Sequence, residues 1–291
     1  MKTIRTIVFK AKEGGGNPCP VTLDADALSL EEMQAMTSKE GVECAFVLKP
    51  TRPDCDFMYR YFLPRHELGM CLHATIGTST VLVREGRAAK SPFYVETILG
   101  RIRIDWKNQD GRIEISVQQF LPEVKNDVPS VPELVKALGI RAEDLGKGPV
   151  QSVSTSRYKL FIPLRDREVL DHLEPDFPYL WELCDKYGVT GFCPFAPAKS
   201  TDNDEGGTVF YDRQFPNKGG YNEDPATGVA AASLGSYAVL NGPAAKDGWH
   251  HFVIYQGFAM GRPSRLQADI LVKDGKIAET RVVGDADVIE G

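Results

Sequence analysis

The pattern of hydrophobic and polar positions along the chain predicts many strands and few helices. Residues 3–9 alternate as a half-buried strand does. Residues 42–48 form an almost continuous apolar run, which is typical of a strand buried on both faces. Further strands are predicted over residues 56–62, 92–99, 101–106, 113–120, 150–164, 208–213, 252–256, 264–273 and 276–283, and shorter helices over 28–37, 132–138, 168–173 and 179–187. This mixture indicates the α+β class.

One predicted helix, within residues 220–242, is small or apolar on every face. A helix of this kind is buried, and its many small side chains indicate that neighbouring elements lie close. Asp224 and Pro225 suit the N-cap and the first helical position, and Asn241-Gly242 before a proline suits a left-handed C-cap. We expect a helix inside a wrap of strands, whose N-terminus offers unpaired N–H groups to an anion. An ordinary core helix is the alternative.

The same order of features occurs twice along the chain. Residues 60–62 (Arg-Tyr-Phe), a turn, and residues 74–75 (Ala-Thr) are echoed by residues 213–215 (Arg-Gln-Phe), a turn, and residues 226–227. Arg213 follows Arg60 by 153 residues, near half of the chain length. The helix after residue 74 is again small and apolar, and it is expected to end at Gly86. The matched order favours an internal duplication, with chance agreement as the alternative.

The duplication predicts two halves of similar size. We place the N-terminal half at residues 1–126 and the C-terminal half at 127–291, because residues 124–131 are polar and contain a proline, as a join between halves would. The last strand, about residues 279–291, is expected to pack back on the first half.

Composition narrows the class of protein. The net charge of −6 and the lack of a basic tract argue against a nucleic-acid partner. No run approaches the roughly 20 apolar residues of a membrane span, and the first residues lack the pattern of a signal peptide. The six cysteines show no C-x-x-C pair and are expected to be free thiols. A cytoplasmic protein without a membrane partner is therefore expected.

Glu43 is the leading candidate for chemistry because its neighbours are the least polar around any carboxylate of the chain. A carboxylate kept from water resists ionisation and can both take and return a proton, as general acid–base catalysis requires. The alternative is a glutamate at a strand end that points into solvent.

Three further polar residues stand at the predicted helix starts. His73, directly before Ala74, can donate to a substrate oxygen or cap its helix, and Asp224 is its counterpart at the second helix. Cys71 lies two residues before His73, where a thiol can ionise readily or serve as a small apolar filler. His250 and His251 are adjacent in sequence and do not form a metal pair on one helix face, so no metal site is expected.

Taken together, these motifs resemble the PhzF-like isomerase family of phenazine biosynthesis, within the diaminopimelate-epimerase superfamily. The match runs along nearly the whole chain. Its carrying residues are Gly16-Asn17-Pro18, Glu43 with Ala45-Phe46-Val47, Arg60-Tyr61-Phe62 with Pro64 and Glu67-Leu68, Cys71 with His73-Ala74-Thr75, Arg213 with Phe215, Glu223-Asp224-Pro225-Ala226-Thr227-Gly228, and Gln256-Gly257 with Met260-Gly261-Arg262-Pro263-Ser264.

The resemblance implies two halves, each a β-barrel wrapped around one helix, with the active cleft between them. It implies a homodimer and neither a metal nor an organic cofactor. Glu43 matches the residue that moves a proton between carbons of a cyclic dihydro-hydroxyanthranilate in the best-understood members. His73 and Asp224 match the residues that contact the substrate there.

Three positions near these residues depart from the family pattern. Leu72 stands where the family often has a glycine, and Val229, after Gly228, stands where it often has a small hydroxyl residue. Val42 stands where a polar residue often precedes the glutamate. These changes leave the proton-moving role of Glu43 intact and put the phenazine-type substrate in doubt. We expect Leu72, Gly228 and Val229 to line the substrate site together with His73 and Asp224.

Three functions are consistent with the sequence. The first is a cofactor-independent isomerase that moves a proton on a small carboxylate-bearing substrate through Glu43. The second is an epimerase or racemase, which needs a second acid–base group facing Glu43, such as Cys71. The third is a protein of the same fold that binds small acids without catalysis.

Overall fold

A computed structural model of the chain describes residues 2–199, 208–243 and 245–289. Contacts between Cα atoms divide it into two compact units. Unit 1 comprises Met1–Gln118 with Val283–Gly291, and unit 2 comprises Gln119–Val282. Each unit contains strands and helices of its own.

The strands and helices of the described residues are numbered in chain order. The strands are β1 (Lys2–Val8), β2 (Asn17–Leu23), β3 (Cys44–Leu48), β4 (Phe57–Phe62), β5 (Glu67–Leu68), β6 (Phe93–Thr97), β7 (Gly100–Gln109), β8 (Arg112–Gln119), β9 (Glu123–Lys125), β10 (Gln151–Ser154), β11 (Tyr158–Pro163), β12 (Gly191–Pro197), β13 (Thr208–Asp212), β14 (Phe215–Pro216), β15 (Gly248–Gln256), β16 (Ser264–Lys273), β17 (Lys276–Gly284) and β18 (Ala286–Ile289). The helices are α1 (Leu30–Glu40), α2 (Leu72–Arg84), α3 (Val131–Leu138), α4 (Arg167–Asp171), α5 (Phe177–Tyr187) and α6 (Gly228–Asn241).

In unit 1 a mixed sheet surrounds helix α2. Its strands follow in the order β18, β1, β2, β3, β4, β6, β7 and β8. Helix α2 contacts β1, β2, β3 and β18, and all of its residues from Leu72 to Leu82 are buried. Strand β18 pairs antiparallel with β1. The predicted C-terminal strand also included residues 290 and 291, which lie outside the described residues.

In unit 2 the same arrangement surrounds helix α6. Its strands follow in the order β9, β10, β11, β12, β13, β15 and β16. Helix α6 contacts β10, β11, β15 and β16, and its residues from Gly228 to Tyr237 are buried. The outer face of this sheet packs on helices α3 and α5, where the core includes Leu134, Leu180 and Phe192.

The two sheets share one series of strand directions. Strands β2, β3, β4, β6 and β7 pair as parallel, antiparallel, parallel and antiparallel. Strands β11, β12, β13, β15 and β16 pair in the same series. The repeated features of the sequence therefore correspond to a repeated topology.

A partly buried ion pair is also repeated. The Arg60 guanidinium donates to both carboxylate oxygens of Glu67, and the Arg213 guanidinium donates to both of Glu223 at 2.8–2.9 Å. Each pair braces the connection that leads from an interior strand, β4 or β13, to the central helix of its unit. The sequence repeat at residues 60 and 213 thus marks the same structural element in both units.

Close packing explains the small residues of both central helices. A Cβ atom added at Gly77 of α2 would lie 2.5 Å from Thr6 Oγ1, and one added at Gly235 of α6 would lie 3.0 Å from the Ala268 Cβ. An L side chain at Gly77 would therefore force the Thr6 side chain of strand β1 to shift. The prediction that strands lie close around these helices is confirmed at both positions.

Candidate active site

Glu43 lies at the entrance to strand β3, just after helix α1. Helix α1 ends at Gly41, whose φ of 71° is the left-handed conformation that glycine adopts readily. The chain then turns through Val42 into the strand. The predicted strand began at residue 42, whereas the observed strand begins at Cys44, so Glu43 precedes it. Its side chain is only 14% exposed, so its carboxylate is sheltered from bulk solvent.

Helix α2 presents two polar side chains at its start. Cys71 is the N-cap residue and His73 is the second helical residue, and both are buried. The Cys71 carbonyl accepts hydrogen bonds from the Thr75 N–H and hydroxyl, and the Thr75 hydroxyl also contacts the Tyr61 hydroxyl at 2.7 Å. Tyr61 lies on strand β4, so the sheet holds the first turn of the helix in place.

These elements bring Glu43, Cys71 and His73 into mutual contact. His73 Nε2 lies 3.0 Å from Glu43 Oε2. The Cys71 thiol lies 3.5 Å from the same oxygen and 3.3 Å from His73 Nδ1. One thiol hydrogen serves two acceptors, so its direction depends on the imidazole tautomer. A carboxylate, a thiol and an imidazole in contact can hold a proton in more than one place.

Leu72 stands between Cys71 and His73 and is the first residue of α2. Its side chain is 2% exposed and is among the largest fully buried side chains of the protein. The leucine that departs from the family pattern is therefore accommodated as core.

In unit 2, Asp224 lies in a dense network of polar groups. The Thr227 hydroxyl donates to Asp224 Oδ2, and Gln256 Nε2 donates to the Asp224 carbonyl at 2.6 Å. The Asp224 N–H donates to the Gln214 carbonyl at 3.0 Å. Asp224 is 7% exposed. This network fixes its carboxylate beside the start of α6.

The predicted start of this helix was wrong. Asp224 is not the N-cap and Pro225 is not the first helical residue, because α6 begins at Gly228 with Thr227 as its N-cap. The bridge between Asp224 and Gln214 holds residue 224 in extended backbone, so the chain cannot turn into a helix there. The predicted left-handed C-cap was also wrong, since Gly242 has φ −84° and ψ −175°. Gly228 and Val229 are thus the first two residues of α6, and both are buried.

Sequence reasoning assigned no role in the site to several buried polar residues of unit 2. The Gln256 side-chain oxygen accepts a hydrogen bond at 2.9 Å from the N–H of Thr227, the N-cap residue of α6. Asp212 is 2% exposed, and burial, reinforced by the carboxylates of Asp224 and Glu223, raises its pKa well above the usual value. Burial lowers the pKa of Lys159 to about 8. A single charge inside an apolar strand, as in residues 158–163, was the available signal for Lys159.

A cavity of about 890 Å³ lies elsewhere in unit 2, at the C-terminal end of α6. Phe195, Tyr237 and Phe252 line it, and none of the predicted site residues does. We place the candidate chemistry at Glu43 rather than here, because Glu43, Cys71 and His73 lie within hydrogen-bond reach of one another.

No helix of residues 2–199, 208–243 and 245–289 is long and apolar enough to cross a membrane.

Comparison with solved structures defines the fold class. The chain superposes on the crystal structure of a PhzF-family phenazine biosynthesis protein from Bacillus anthracis with a TM-score of 0.87, at 27% identity and covering 100% of this chain and 98% of that one. A probable proline racemase from Agrobacterium radiobacter shares the fold with a TM-score of 0.64, at 12% identity, covering 99% and 92%. The protein thus has the diaminopimelate-epimerase-like fold, and the predicted α+β class with a strand-wrapped helix in each repeat is confirmed.

Comparison with protein families then defines the family. The chain belongs to the phenazine biosynthesis-like (PhzC-PhzF) family, whose model matches residues 7–291. An uncharacterised isomerase from Deinococcus radiodurans is 32% identical over 286 residues, covering 96% of this chain and 90% of the relative. Trans-2,3-dihydro-3-hydroxyanthranilate isomerase from Pseudomonas chlororaphis is 30% identical over 275 residues, covering 93% and 90%. The resemblance found in the sequence is confirmed, and the family supports an isomerase or epimerase activity.

Proposed function

We propose that this protein is a cofactor-independent isomerase in which Glu43 moves a proton on a small carboxylate-bearing substrate. The observation that carries the proposal is the 3.0 Å contact between Glu43 Oε2 and His73 Nε2 at the start of α2. A sheltered carboxylate with a partner that can give or accept a hydrogen is equipped to take a proton and return it. The relative from Pseudomonas chlororaphis, named for an isomerisation, supports the same reaction class.

Each step of the proposed reaction conserves atoms and charge. The Glu43 carboxylate takes a proton from a carbon next to an acidifying group, and the electron pair of the broken C–H bond moves into that group as an enolate. Glu43 then returns the proton to another carbon, and the electron pair forms the new C–H bond. No redox partner is needed, since the product is an isomer of the substrate.

His73 supports both protonation states of Glu43 in this proposal. When Glu43 is ionised, His73 Nε2–H donates to it. When Glu43 takes the substrate proton on its other carboxyl oxygen, Oε2 continues to accept from the same Nε2–H. The imidazole keeps its tautomer and position, and Nδ1 accepts from the Cys71 thiol, 3.3 Å away, so the cluster stays hydrogen-bonded in both states.

We further propose that His73, Leu72, Asp224, Gly228 and Val229 are substrate-binding residues. Leu72 and Gly228 are the first residues of α2 and α6, and N–H groups at helix starts favour anions. Asp224, held by Thr227 and Gln256, is suited to accept a hydrogen bond from a substrate hydroxyl or amine. Because Leu72 and Val229 are each only 2% exposed, we propose that they contact the substrate through their backbone N–H groups.

The proposal is tested by incubating the protein with a metabolite mixture in heavy water and identifying compounds that gain deuterium or change isomer. We expect Glu43→Gln to lower turnover on the identified compound by at least about 10²-fold, because a positioned acid–base group contributes about 10²–10⁴-fold. Glu40→Gln is the matched control, because Glu40 lies on α1 and pairs with Arg5. Full turnover in Glu43→Gln would show that the mechanism is wrong.

The epimerase alternative is less favoured by the geometry. Inversion by two groups needs one on each side of a carbon, and reacting atoms lie about 3–3.5 Å apart at each side. Cys71 Sγ and Glu43 Oε2 are themselves 3.5 Å apart, which leaves no room for a carbon between them. In heavy water, Cys71→Ser should therefore retain isomerisation. An epimerase would be favoured if the native protein inverted a stereocentre without isomerising the substrate, and if Cys71→Ser lost this inversion.

Two further expectations from the sequence stay predictions. A homodimer is proposed from the family, and sedimentation velocity would measure it. A cytoplasmic location is likewise a proposal, and fractionation of cells would test it. Binding of small acids to this protein without exchange of their protons would support the third, non-catalytic alternative.

A further inference from the structure

We propose that the cavity at the C-terminal end of α6 is a binding site for a small aromatic acid, and that this site does not include Glu43. Its volume of about 890 Å³ lies within the roughly 300–1,000 Å³ that is typical of ligand pockets. Its described lining residues all belong to unit 2, and they come mainly from α6, from strands β11, β12, β13 and β15 and from residues 143–148. The mouth of a wrap of strands is one of the places where proteins bind small molecules.

Aromatic rings form much of the cavity wall, which Phe195, Phe210, Tyr237 and Phe252 line. The ring centroid of Phe195 lies 5.3 Å from that of Tyr237 and 5.6 Å from that of Phe210. The centroids of Phe210 and Phe252 lie 6.3 Å apart. Aromatic rings pair favourably at such spacings, either edge to face or offset. The wall therefore favours a ligand whose body is itself aromatic.

The polar groups of this wall are already paired within the protein. The Tyr237 hydroxyl donates to the Pro149 carbonyl at 2.8 Å. The Asn241 side-chain amide donates to Gln151 Oε1 at 2.9 Å and to the Tyr237 carbonyl at 3.0 Å. Within residues 2–199, 208–243 and 245–289, none of the buried side-chain atoms that lack a hydrogen-bond partner belongs to a lining residue. An apolar body can therefore enter the cavity without depriving a buried polar group of its partner.

The charges of the lining favour an acid as the polar part of the ligand. Lys147 and Lys246 line the cavity, are exposed, and form no ion pair with another described residue. The other charged lining residues are engaged, since Arg165 pairs with two carboxylates and Glu143 pairs with an arginine. His250 Nε2 lies 2.7 Å from the Lys246 carbonyl. The two lysines are therefore the groups that remain to pair with a negative charge.

The helix end sets the direction in which such a ligand would lie. The C-terminal end of α6 carries partial negative charge and repels an anion. The acidic group would therefore lie at the two lysines, with the aromatic body against the rings of the wall.

The corresponding end of the other central helix differs in character. In unit 1 a cavity of about 810 Å³ adjoins α2 at Thr80 and Arg84. Many of its lining residues are charged, among them Lys10, Asp285 and Asp287. Because the two sheets share one series of strand directions, the repeated topology does not impose the aromatic wall. The wall thus points to a role that is specific to unit 2.

The test is a fluorescence titration of the full chain at low salt with two related probes. Anilinonaphthalene sulfonate is an aromatic acid that becomes fluorescent in apolar pockets, and phenylnaphthylamine is its neutral counterpart. We expect each probe to bind saturably, with one equivalent per chain. In the double variant Lys147→Gln, Lys246→Gln the affinity for the sulfonate should fall by about 2- to 30-fold, the effect of losing two exposed ion pairs. The affinity for the neutral probe should not change.

The matched control for the lysines is the double variant Lys273→Gln, Lys276→Gln. Both residues are exposed lysines of unit 2 that do not line the cavity. This variant changes the net charge by the same amount and should keep both affinities. A fall in sulfonate affinity equal to that of the first double variant would show that the effect comes from overall charge, and would overturn the assignment of the two lining lysines.

A second variant tests the apolar part of the site. Val239 lines the cavity from α6 and is half-buried, so Val239→Trp should fill part of the space. Both probes should then bind at least about fivefold more weakly, because the ligand has to reopen a packed region. Circular dichroism checks that the variant is folded. Unchanged binding of both probes to folded Val239→Trp, or no saturable binding to the native protein, would overturn the site.

Glu43→Gln distinguishes this cavity from the candidate active site. Since Glu43 does not line the cavity, this variant should keep the affinity for both probes, and a loss of affinity would show that the probes bind at Glu43 instead. The titrations need neither a substrate nor turnover. The aromatic-acid site and the proposed isomerase can therefore fail independently of each other.

Discussion

The imidazole Nε2 of His73 lies 3.0 Å from Oε2 of Glu43, although the two residues belong to different elements of unit 1. Glu43 is placed by the turn between α1 and β3, and His73 is placed by the first turn of α2. Strand β3 contacts α2 directly, which brings the two positions together. The contact is thus a product of how the sheet surrounds the helix.

The first prediction concerns His73 as the partner of Glu43. His73→Ala should lower turnover by about 10²-fold or more, because Glu43 loses the group that stabilises both of its protonation states. His73→Gln should lose less, since its amide can still donate toward Glu43. Steady-state kinetics on the substrate found in heavy water would measure both variants. Equal turnover in the two variants would contradict a role for the His73 hydrogen bond.

The second prediction concerns the partly buried ion pair of unit 2. Arg213→Lys should lower the free energy of unfolding by about 1.5–3 kcal/mol, the contribution of hydrogen bonds to charged groups, because lysine cannot reproduce the two-pronged contact with Glu223. Arg213 also donates to the carbonyls of Leu170 and Leu173, which lysine would leave without these donors. Urea unfolding followed by circular dichroism would measure the change.

The matched control for this prediction is Arg5→Ala. Arg5 pairs with Glu40 on the surface, where its side chain is 60% exposed, and exposed pairs contribute about 0–1 kcal/mol. A larger loss in Arg5→Ala than in Arg213→Lys would contradict the importance of burial.

The third prediction compares the glycines of the two central helices. Gly77→Ala should destabilise the protein more than Gly235→Ala, with losses of about 1–3 kcal/mol expected for overpacking. The added Cβ at Gly77 would meet Thr6 Oγ1, which is held by its bond to the Cys19 carbonyl at 2.8 Å. At Gly235 it would meet only apolar side-chain atoms at 3.0–3.3 Å, which can yield slightly. Thermal unfolding of both variants gives the order, and the reverse order would contradict the packing.

The fourth prediction uses the buried Lys159 of strand β11. Burial lowers its pKa from 10.5 to about 8, although the thiol of Cys193 and the carboxylate of Asp224 oppose the shift. Below pH 8 both the folded and the unfolded state carry the charge, and the folded state is penalised by up to about 3 kcal/mol. Between pH 8 and 10.5 the unfolded state binds more protons, so this contribution to stability rises with pH.

Lys159→Met should therefore be more stable than the native protein at pH 7, and its advantage should shrink as the pH approaches 10.5. The hydrogen bond from Lys159 to the Thr190 carbonyl offsets part of the penalty, so the measured gain should be less than the full amount. Urea unfolding of both proteins at pH 7, 9 and 10 gives the difference. A difference that is constant with pH would show that Lys159 is not the cause.

The local pattern of the sequence was enough to predict most elements, because periodicity records which side chains face a core. It failed at strand β12, which no predicted strand covered. Residues 191–197 include Pro194 and Pro197 and show no alternation, since six of the seven residues are buried. Prolines argue against a central strand in sequence analysis, whereas here the neighbouring strands β11 and β13 supply the burial that makes the strand stable.

By itself, the sequence determined the duplicated fold, the family, and the choice of Glu43, His73 and Asp224 as candidates, because motifs and repeats are local properties of a chain. Only the tertiary structure decided that Cys71 contacts both Glu43 and His73. It also decided that α6 starts at Gly228, because a β-bridge to Gln214 holds Asp224 in extended backbone. Hydrogen bonds between distant segments compete with local preferences, and only the packed strands show which partner is within reach.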